Sequence, residues 1–364
     1  MQQRLSSILN VLRFPYGIAV KARLWLYENQ WIRSKTLPKP VISIGNLTVG
    51  GTGKTPMTIW LAQWLASKGW KVGVLSRGYR RRSRETQLLA SNFHNILVEA
   101  DQAGDEPFLL AQRCPGICVA VGADRYRLGQ WVLDQYPVDV FVLDDGFQHL
   151  GISRDMNILL IDASDPEGLQ QLLPAGRLRE PLLGAARATV VILTRADTHH
   201  QQHDVLAPIR TATGKAFPCA ITQFRPEYFL NISNGTQHPI SSIQGKRVLL
   251  VSGIGNPSSF RRNMIALGPD HIDEYVFPDH HTYSSNDLAI IRQHAQCCAT
   301  EIILTTEKDA VKIQPLLEPC DEIWSVRLGI QFLEGLETLE MLLTQTLTTV
   351  RKNDAMMTAS PKSS

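Results

Sequence analysis

Thr48-Val49-Gly50-Gly51-Thr52-Gly53-Lys54-Thr55 stands directly after a short apolar run, 41–44, and directly before a stretch of helical character, 54–67. Strand, glycine-rich turn and helix in that order are the context a phosphate-binding loop requires. Glycines let successive backbone N–H groups turn inward around phosphate, and the helix N-terminus adds its dipole. The segment Thr48 to Thr55 is therefore expected to wrap a nucleoside triphosphate. Lys54 would reach the β- and γ-phosphates, and Thr55 would hold Mg2+. The pattern departs from the usual one at Thr48, where Gly commonly stands.

Around this loop the chain reads as strands alternating with helices. Short apolar runs at 72–75, 117–121, 140–143, 157–161 and 189–193 are separated by helical stretches at 105–113 and 124–135. Apolar runs of four or five residues joined by helices predict a parallel sheet covered on both faces, a P-loop NTPase-type α/β core over 40–215. A second, smaller α/β unit is expected over 216–350, with 216–245 as linker and strands near 248–251, 272–277, 302–305 and 322–326. Residues 351–364 carry Lys, Ser, Thr and Pro without an aromatic and are expected to form a disordered tail.

The amino-terminal 39 residues read differently. Leu5, Ile8, Leu9 and Leu12, then Leu24, Tyr27 and Trp31, fall at helical spacing, and Pro15-Tyr16-Gly17 is expected to separate two helical pieces within 1–35. Residues 1–40 hold seven basic side chains and one acid, net +6, so the remaining 324 residues sum to −3. Aromatics interleaved with Lys and Arg suit a bilayer headgroup region, although a helix packed on its own domain is the competing reading.

Bulk composition is ordinary for a globular chain of 364 residues: 44% apolar, 20% charged, net charge +3. It excludes disordered, collagen-like and coiled-coil classes and gives no electrostatic case for nucleic acid. No apolar run reaches membrane-spanning length, and no signal peptide is evident. The six cysteines lack zinc spacing and are read as reduced thiols.

Several other residues carry chemistry in more than one way. Asp144-Asp145 closes an apolar strand about 90 residues past the loop, the Walker B arrangement for holding Mg2+; the alternative is a pair of turn acids. Asp105 in Gly104-Asp105-Glu106-Pro107 is either a helix cap or a general base. Asp279-His280-His281 can bind metal, move a proton or cap a loop, and adjacent side chains diverge, so at most one histidine faces a site. The basic loop Arg77 to Arg84 is either an anion site or a solvated charge run. Thr194-Arg195-Ala196-Asp197 is a weak echo of a base-reading motif.

Taken in order, Gly45 to Pro56, Ser76-Arg77-Gly78-Tyr79, Gly104 to Pro107, Asp144-Asp145-Gly146-Phe147-Gln148-His149, Leu178-Arg179-Glu180-Pro181 and Thr306-Glu307-Lys308-Asp309-Ala310 closely resemble the tetraacyldisaccharide 4′-kinase family of lipid A biosynthesis. The resemblance runs from the basic arm to about residue 345, and the family also tolerates a small polar residue at Thr48. It implies a peripheral P-loop kinase, a monomer, on the cytoplasmic face of the inner membrane. The enzyme would use ATP and Mg2+ and act on the 4′-hydroxyl of a tetraacylated, 1-phosphorylated glucosamine disaccharide. The partners implied are a glycolipid acceptor and an anionic bilayer surface, not nucleic acid. By the same resemblance Asp105 is the catalytic base, His280 its partner, and Asp144, Asp145 and Glu180 the acids around Mg2+. Arg77, Asn46 and His149 are candidate acceptor contacts. A kinase for another membrane glycolipid and a switch or transport ATPase without an acceptor are the rival readings.

Overall fold

The computed structural model describes the backbone of residues 2–79, 81–196, 199–318 and 321–359, with side chains described from residue 9 onward except 197–204 and 350–359. Thirteen strands form one sheet: β1 (Val41–Asn46), β2 (Val72–Ser76), β3 (Gln87–Ser91), β4 (Cys118–Gly122), β5 (Val140–Leu143), β6 (Met156–Asp162), β7 (Val190–Thr194), β8 (Cys219–Asn231), β9 (Gln237–Pro239), β10 (Arg247–Ser252), β11 (His271–Val276), β12 (Ile302–Thr306) and β13 (Ile323–Glu334). Their spatial order is β11-β10-β12-β13-β8-β7-β6-β1-β5-β2-β4-β3, with β9 on β8.

The central strands β7, β6, β1, β5, β2 and β4 are mutually parallel and buried on both faces, which explains their unbroken apolar runs. On one face Ile42, Ile44, Val74, Val142 and Ile158 meet Met57, Leu61 and Leu65 of the helix Lys54–Ser67. On the other, Leu75, Phe141 and Leu143 meet Leu128 and Val132 of the helix Arg125–Leu133. This is the P-loop architecture, and the carboxyl ends of its strands carry the candidate site.

The second unit, β10, β11, β12 and the start of β13, is again parallel. It does not stand apart on a loose linker. The middle of the expected linker is β8, which pairs antiparallel with β13 from Ile221 to Asn231. The first residues of β8 also pair with β7 and its last with β9, while the first residues of β13 pair with β12. Between them, residues 223–227 and 327–331 form a two-stranded ribbon joining the halves. A register shift between Arg327 and Leu328 faces Pro226, which has no N–H to give the ladder.

Three further expectations are corrected. The amino-terminal helix is continuous from Gln2 to Glu28 through Pro15 and stops there, so 29–35 are not helical. An interior proline costs about 3 kcal/mol. Opposing it, the Tyr16 hydroxyl donates to the Arg179 carbonyl at 2.7 Å, Arg23 donates to the Gln148 carbonyl at 3.1 Å, and Gly17 is buried. The edge strand β3 was not foreseen. At the other end, a helix spans Leu336–Ala359 where a tail had been expected from 351; residues 360–364 lie outside the described residues. No helix among the described residues is long and apolar enough to cross a membrane.

Candidate active site

A cleft of about 1150 Å3 opens where the carboxyl ends of the central strands face the second half of the molecule. Its floor is the glycine-rich loop. Lys54 starts the following helix with Gly53 as its cap at φ 86, a left-handed conformation that favours glycine. A side chain at Gly53 would also strike the ring of Phe224. The loop is braced from three sides. Asn46 Nδ2 donates to the Thr48 carbonyl at 2.8 Å, and Lys54 Nζ donates to Asn46 Oδ1 at 3.3 Å. The Thr194 hydroxyl donates to the Thr52 carbonyl at 3.0 Å. The Val49 N–H donates to the Arg177 carbonyl at 2.8 Å, while the Arg177 side chain donates back to the Val49 carbonyl. Gly51 is exposed with open space around it, and Gly50, Thr55 and Lys54 line the cleft. Asn46, expected as an acceptor contact, is fully buried and spent on the loop itself.

Asp144 and Asp145 follow β5 beside this floor. Asp144 is buried and accepts from the Thr58 hydroxyl at 3.0 Å and the Ser76 hydroxyl at 3.1 Å. Burial, with the charges of Glu106 and Asp145, pushes its carboxyl up to about 6. Asp145 also suffers desolvation, but Lys54 at 3.9 Å and Arg179, at 2.9 Å from both oxygens, hold it below the ordinary aspartate value. Two adjacent acids are thus driven apart by their surroundings: Asp145 is paired with cations, and Asp144 is buried beside other acids. Glu180, the third acid that the resemblance gives to Mg2+, lines the same cleft and is engaged by other partners. Both its oxygens accept from Arg187 Nη2 at 2.7 Å, and Gln148 Nε2 donates to one at 2.8 Å. Among the described residues no three His, Cys, Asp or Glu side chains converge to hold a metal.

The opposite wall is assembled from both halves: the helix Asp105–Arg113 belongs to the first, and His280, Lys308 and Lys312 belong to the second. Asp105 is the first residue of the helix Asp105–Arg113, with Gly104 as its cap and no capping side-chain hydrogen bond, so the cap reading of Asp105 does not hold. Burial raises its carboxyl against the opposing charges of Lys312, Lys308 and His280. Lys312 Nζ lies 3.8 Å from Asp105 Oδ2 and 3.0 Å from Asp309 Oδ1. His280 lines the cleft with a left-handed backbone, φ 60, and meets the ring of Tyr79 edge-on at 5.5 Å. His281 turns away: it stacks on Phe277 at 4.4 Å and reaches Asp287 at 3.3 Å. Gly255 brings the loop after β10 close enough that a Cβ there would sit 3.8 Å from the Gly51 amide.

At the far end the cleft is lined by Arg77, Arg125 and His149, together with Tyr16, Val20, Arg23 and Leu24 of the amino-terminal helix. Burial and the Arg125 charge push His149 down to about 4, so its ring is neutral near pH 7. Arg80, in the basic loop, lies outside the described residues. Arg195 lines the cleft and is paired with Asp162; its motif partner Asp197 lies outside the described residues.

Sequence reasoning gave no role to Glu106, Arg125, Arg179, Lys308 or Lys312. Arg125 follows the carboxyl end of β4, and that strand-end position was the available signal. Glu106 and Lys308 sat inside quoted motifs, but only folding shows that they meet.

A profile of the family described as tetraacyldisaccharide-1-P 4′-kinase matches residues 5–348. The chain belongs to the tetraacyldisaccharide 4′-kinase family. Among relatives in that family, the tetraacyldisaccharide 4′-kinase of Pelobacter propionicus is 40% identical over 318 residues, 87% of this chain and 86% of that protein. That of Syntrophus aciditrophicus is 37% identical over 316 residues, 85% of this chain and 84% of that protein. The crystal structure of the "apo" form of LpxK from Aquifex aeolicus in complex with ATP matches at TM-score 0.75 and 33% identity, covering 94% of this chain and 99% of that one.

Proposed function

We propose that the protein transfers the γ-phosphate of ATP to the 4′-hydroxyl of a tetraacylated, 1-phosphorylated glucosamine disaccharide held at a membrane surface. The observation that carries this reading is the continuity of the cleft, which runs from the glycine-rich loop to the inner face of the amino-terminal helix. The outer face of that helix exposes Val11, Phe14, Ile18 and Trp25, spaced as one stripe, with Lys21 and Arg23 also exposed. An acyl-chain-bearing acceptor can therefore stay in the lipid while its sugar enters between the walls. Peripheral docking on the cytoplasmic face of the inner membrane, as a monomer, follows from the same reading.

The loop amides and Lys54 hold the β- and γ-phosphates. Thr55, Asp144 and Asp145 would hold Mg2+, and the Asp144 carboxyl, buried beside Glu106 and Asp145, fits that cation. When bound, Mg2+ offsets phosphate charge during transfer. Asp105 takes the proton of the sugar hydroxyl as its oxygen bonds to the γ-phosphorus and the bond to the β-bridging oxygen breaks, releasing ADP. His280 holds and tunes that carboxylate from the second half. Glu180 keeps Arg187 and Gln148 in place beside the loop. Arg77, Arg125 and neutral His149 face the acceptor.

The test is purified protein with ATP labelled in the γ-phosphate and tetraacyldisaccharide 1-phosphate in detergent, with products separated by chromatography. The expected result is label in a new, more polar lipid. Label only in inorganic phosphate would mean an ATPase without an acceptor, and label only in another lipid of a total extract would mean a different glycolipid.

A further inference from the structure

Lys308 follows Glu307 at the start of the helix Glu307–Ile313, and its ammonium enters the cleft. Nζ lies 3.0 Å from Glu106 Oε1 and 3.4 Å from His280 Nε2. An ammonium has three donors and no acceptor. The imidazole nitrogen facing it must therefore accept, which leaves the ring proton on Nδ1 and the ring neutral. We propose that Lys308 is a positioning residue that fixes His280 as the neutral tautomer with Nε2 bare, so that Nδ1–H is the group the ring offers to the reaction. This rests on the role assigned to His280 above.

The ammonium is held where it must be. Glu307, next in the chain, accepts from Arg113 Nη1 at 2.7 Å on both oxygens and from Arg327 at 2.5 Å. Arg113 ends the same helix that begins with Asp105, so the helix supplying the base also anchors the residue that orients its partner. Three other groups face the ring. Asp279 Oδ2, on the ring's own loop, is 3.9 Å from Nε2 and favours a charged ring. The Tyr79 ring meets it edge-on, and Asp105 faces it from the first half. Lys308 is closer than Asp279 and can make a hydrogen bond that the carboxylate at 3.9 Å cannot.

The experiment uses the full-length protein carrying labelled histidine ring nitrogens, with His280→Gln identifying the relevant signals. In the unaltered protein above neutral pH, the ring is expected to show a proton on Nδ1 and none on Nε2. In Lys308→Met the population is expected to move toward the Nε2–H form that free imidazole side chains prefer. The acid limb of the kcat profile should also rise by about one pH unit, because His280 and Asp105 both lose a neighbouring cation. Lys308→Arg, which can also only donate, is expected to keep the original tautomer. A proton on Nε2 in the unaltered protein, or identical ring signals in the unaltered protein and Lys308→Met, would overturn the proposal. The nitrogen readout needs no turnover, so a failure to label lipid would strike the functional reading and not this one.

Discussion

The two walls of the cleft are built on opposite plans. The nucleotide wall is held by its own half: Asn46, Arg177 and Thr194 brace the loop through backbone carbonyls, before any ligand arrives. The proton-handling wall is assembled across the molecule. Its geometry depends on Glu106 meeting Lys308, Asp105 meeting Lys312 and Arg113 meeting Glu307, all between the helices Asp105–Arg113 and Glu307–Ile313. Among the described residues, only the ribbon of β8 and β13 joins the halves through backbone ladder. Phosphate binding can thus be rigid while hydroxyl activation depends on how the halves meet, which links chemistry to closure and to exclusion of water.

That contrast can be broken at the joint. Glu307 lies half-buried between two guanidinium groups. Glu307→Ala takes the carboxylate from both, leaving Arg327 its bond to the Tyr228 hydroxyl, and is expected to cost about 3 kcal/mol in denaturant unfolding. The exposed pair Lys246–Glu301 is the control, and Glu301→Ala should leave stability nearly unchanged. An equal effect of the two substitutions would mean that the helices meet by packing alone.

The nucleotide wall is sharpened by Gly53→Ala. The left-handed backbone and the Phe224 ring oppose a Cβ there. Strain of about 1–3 kcal/mol predicts ATP affinity lower by about 5- to 150-fold in titration calorimetry. Unaltered affinity would show that the loop yields easily and is not preformed.

The smallest effect is in the pH profile. Burial raises the Asp105 carboxyl above an ordinary aspartate. A base must be ionised, so kcat is expected to be full at high pH and to fall as pH drops through a midpoint above the usual aspartate range. Lys312→Met removes the largest opposing charge and should move that midpoint further up. A midpoint that stays put in Lys312→Met would separate Asp105 from the observed limb.

Much of the nucleotide wall was legible in the sequence because its parts are local. The loop spans adjacent residues, and Asp144-Asp145 ends a strand whose apolar run gives it away. The ribbon was hidden because β8 runs through Gln223, Arg225, Pro226 and Glu227, half-exposed residues that read as linker. The amino-terminal helix was split at Pro15 because local propensity cannot count the contacts of Tyr16 and Arg23 with residues more than a hundred positions away. Glu180 was given to Mg2+ by the resemblance alone, and only the fold reveals its pairing with Arg187 and Gln148. Lys308 and Lys312 lie some two hundred residues from the acids they meet, so no spacing rule could have paired them.

The most direct test of a two-walled site is to measure ATP binding and single-turnover transfer in one preparation of Asp105→Asn. The account predicts ATP affinity like that of the unaltered protein, with label transfer to lipid slower by about 100- to 10,000-fold. Transfer at the unaltered rate would contradict it, because the second wall would then have no part in activating the hydroxyl.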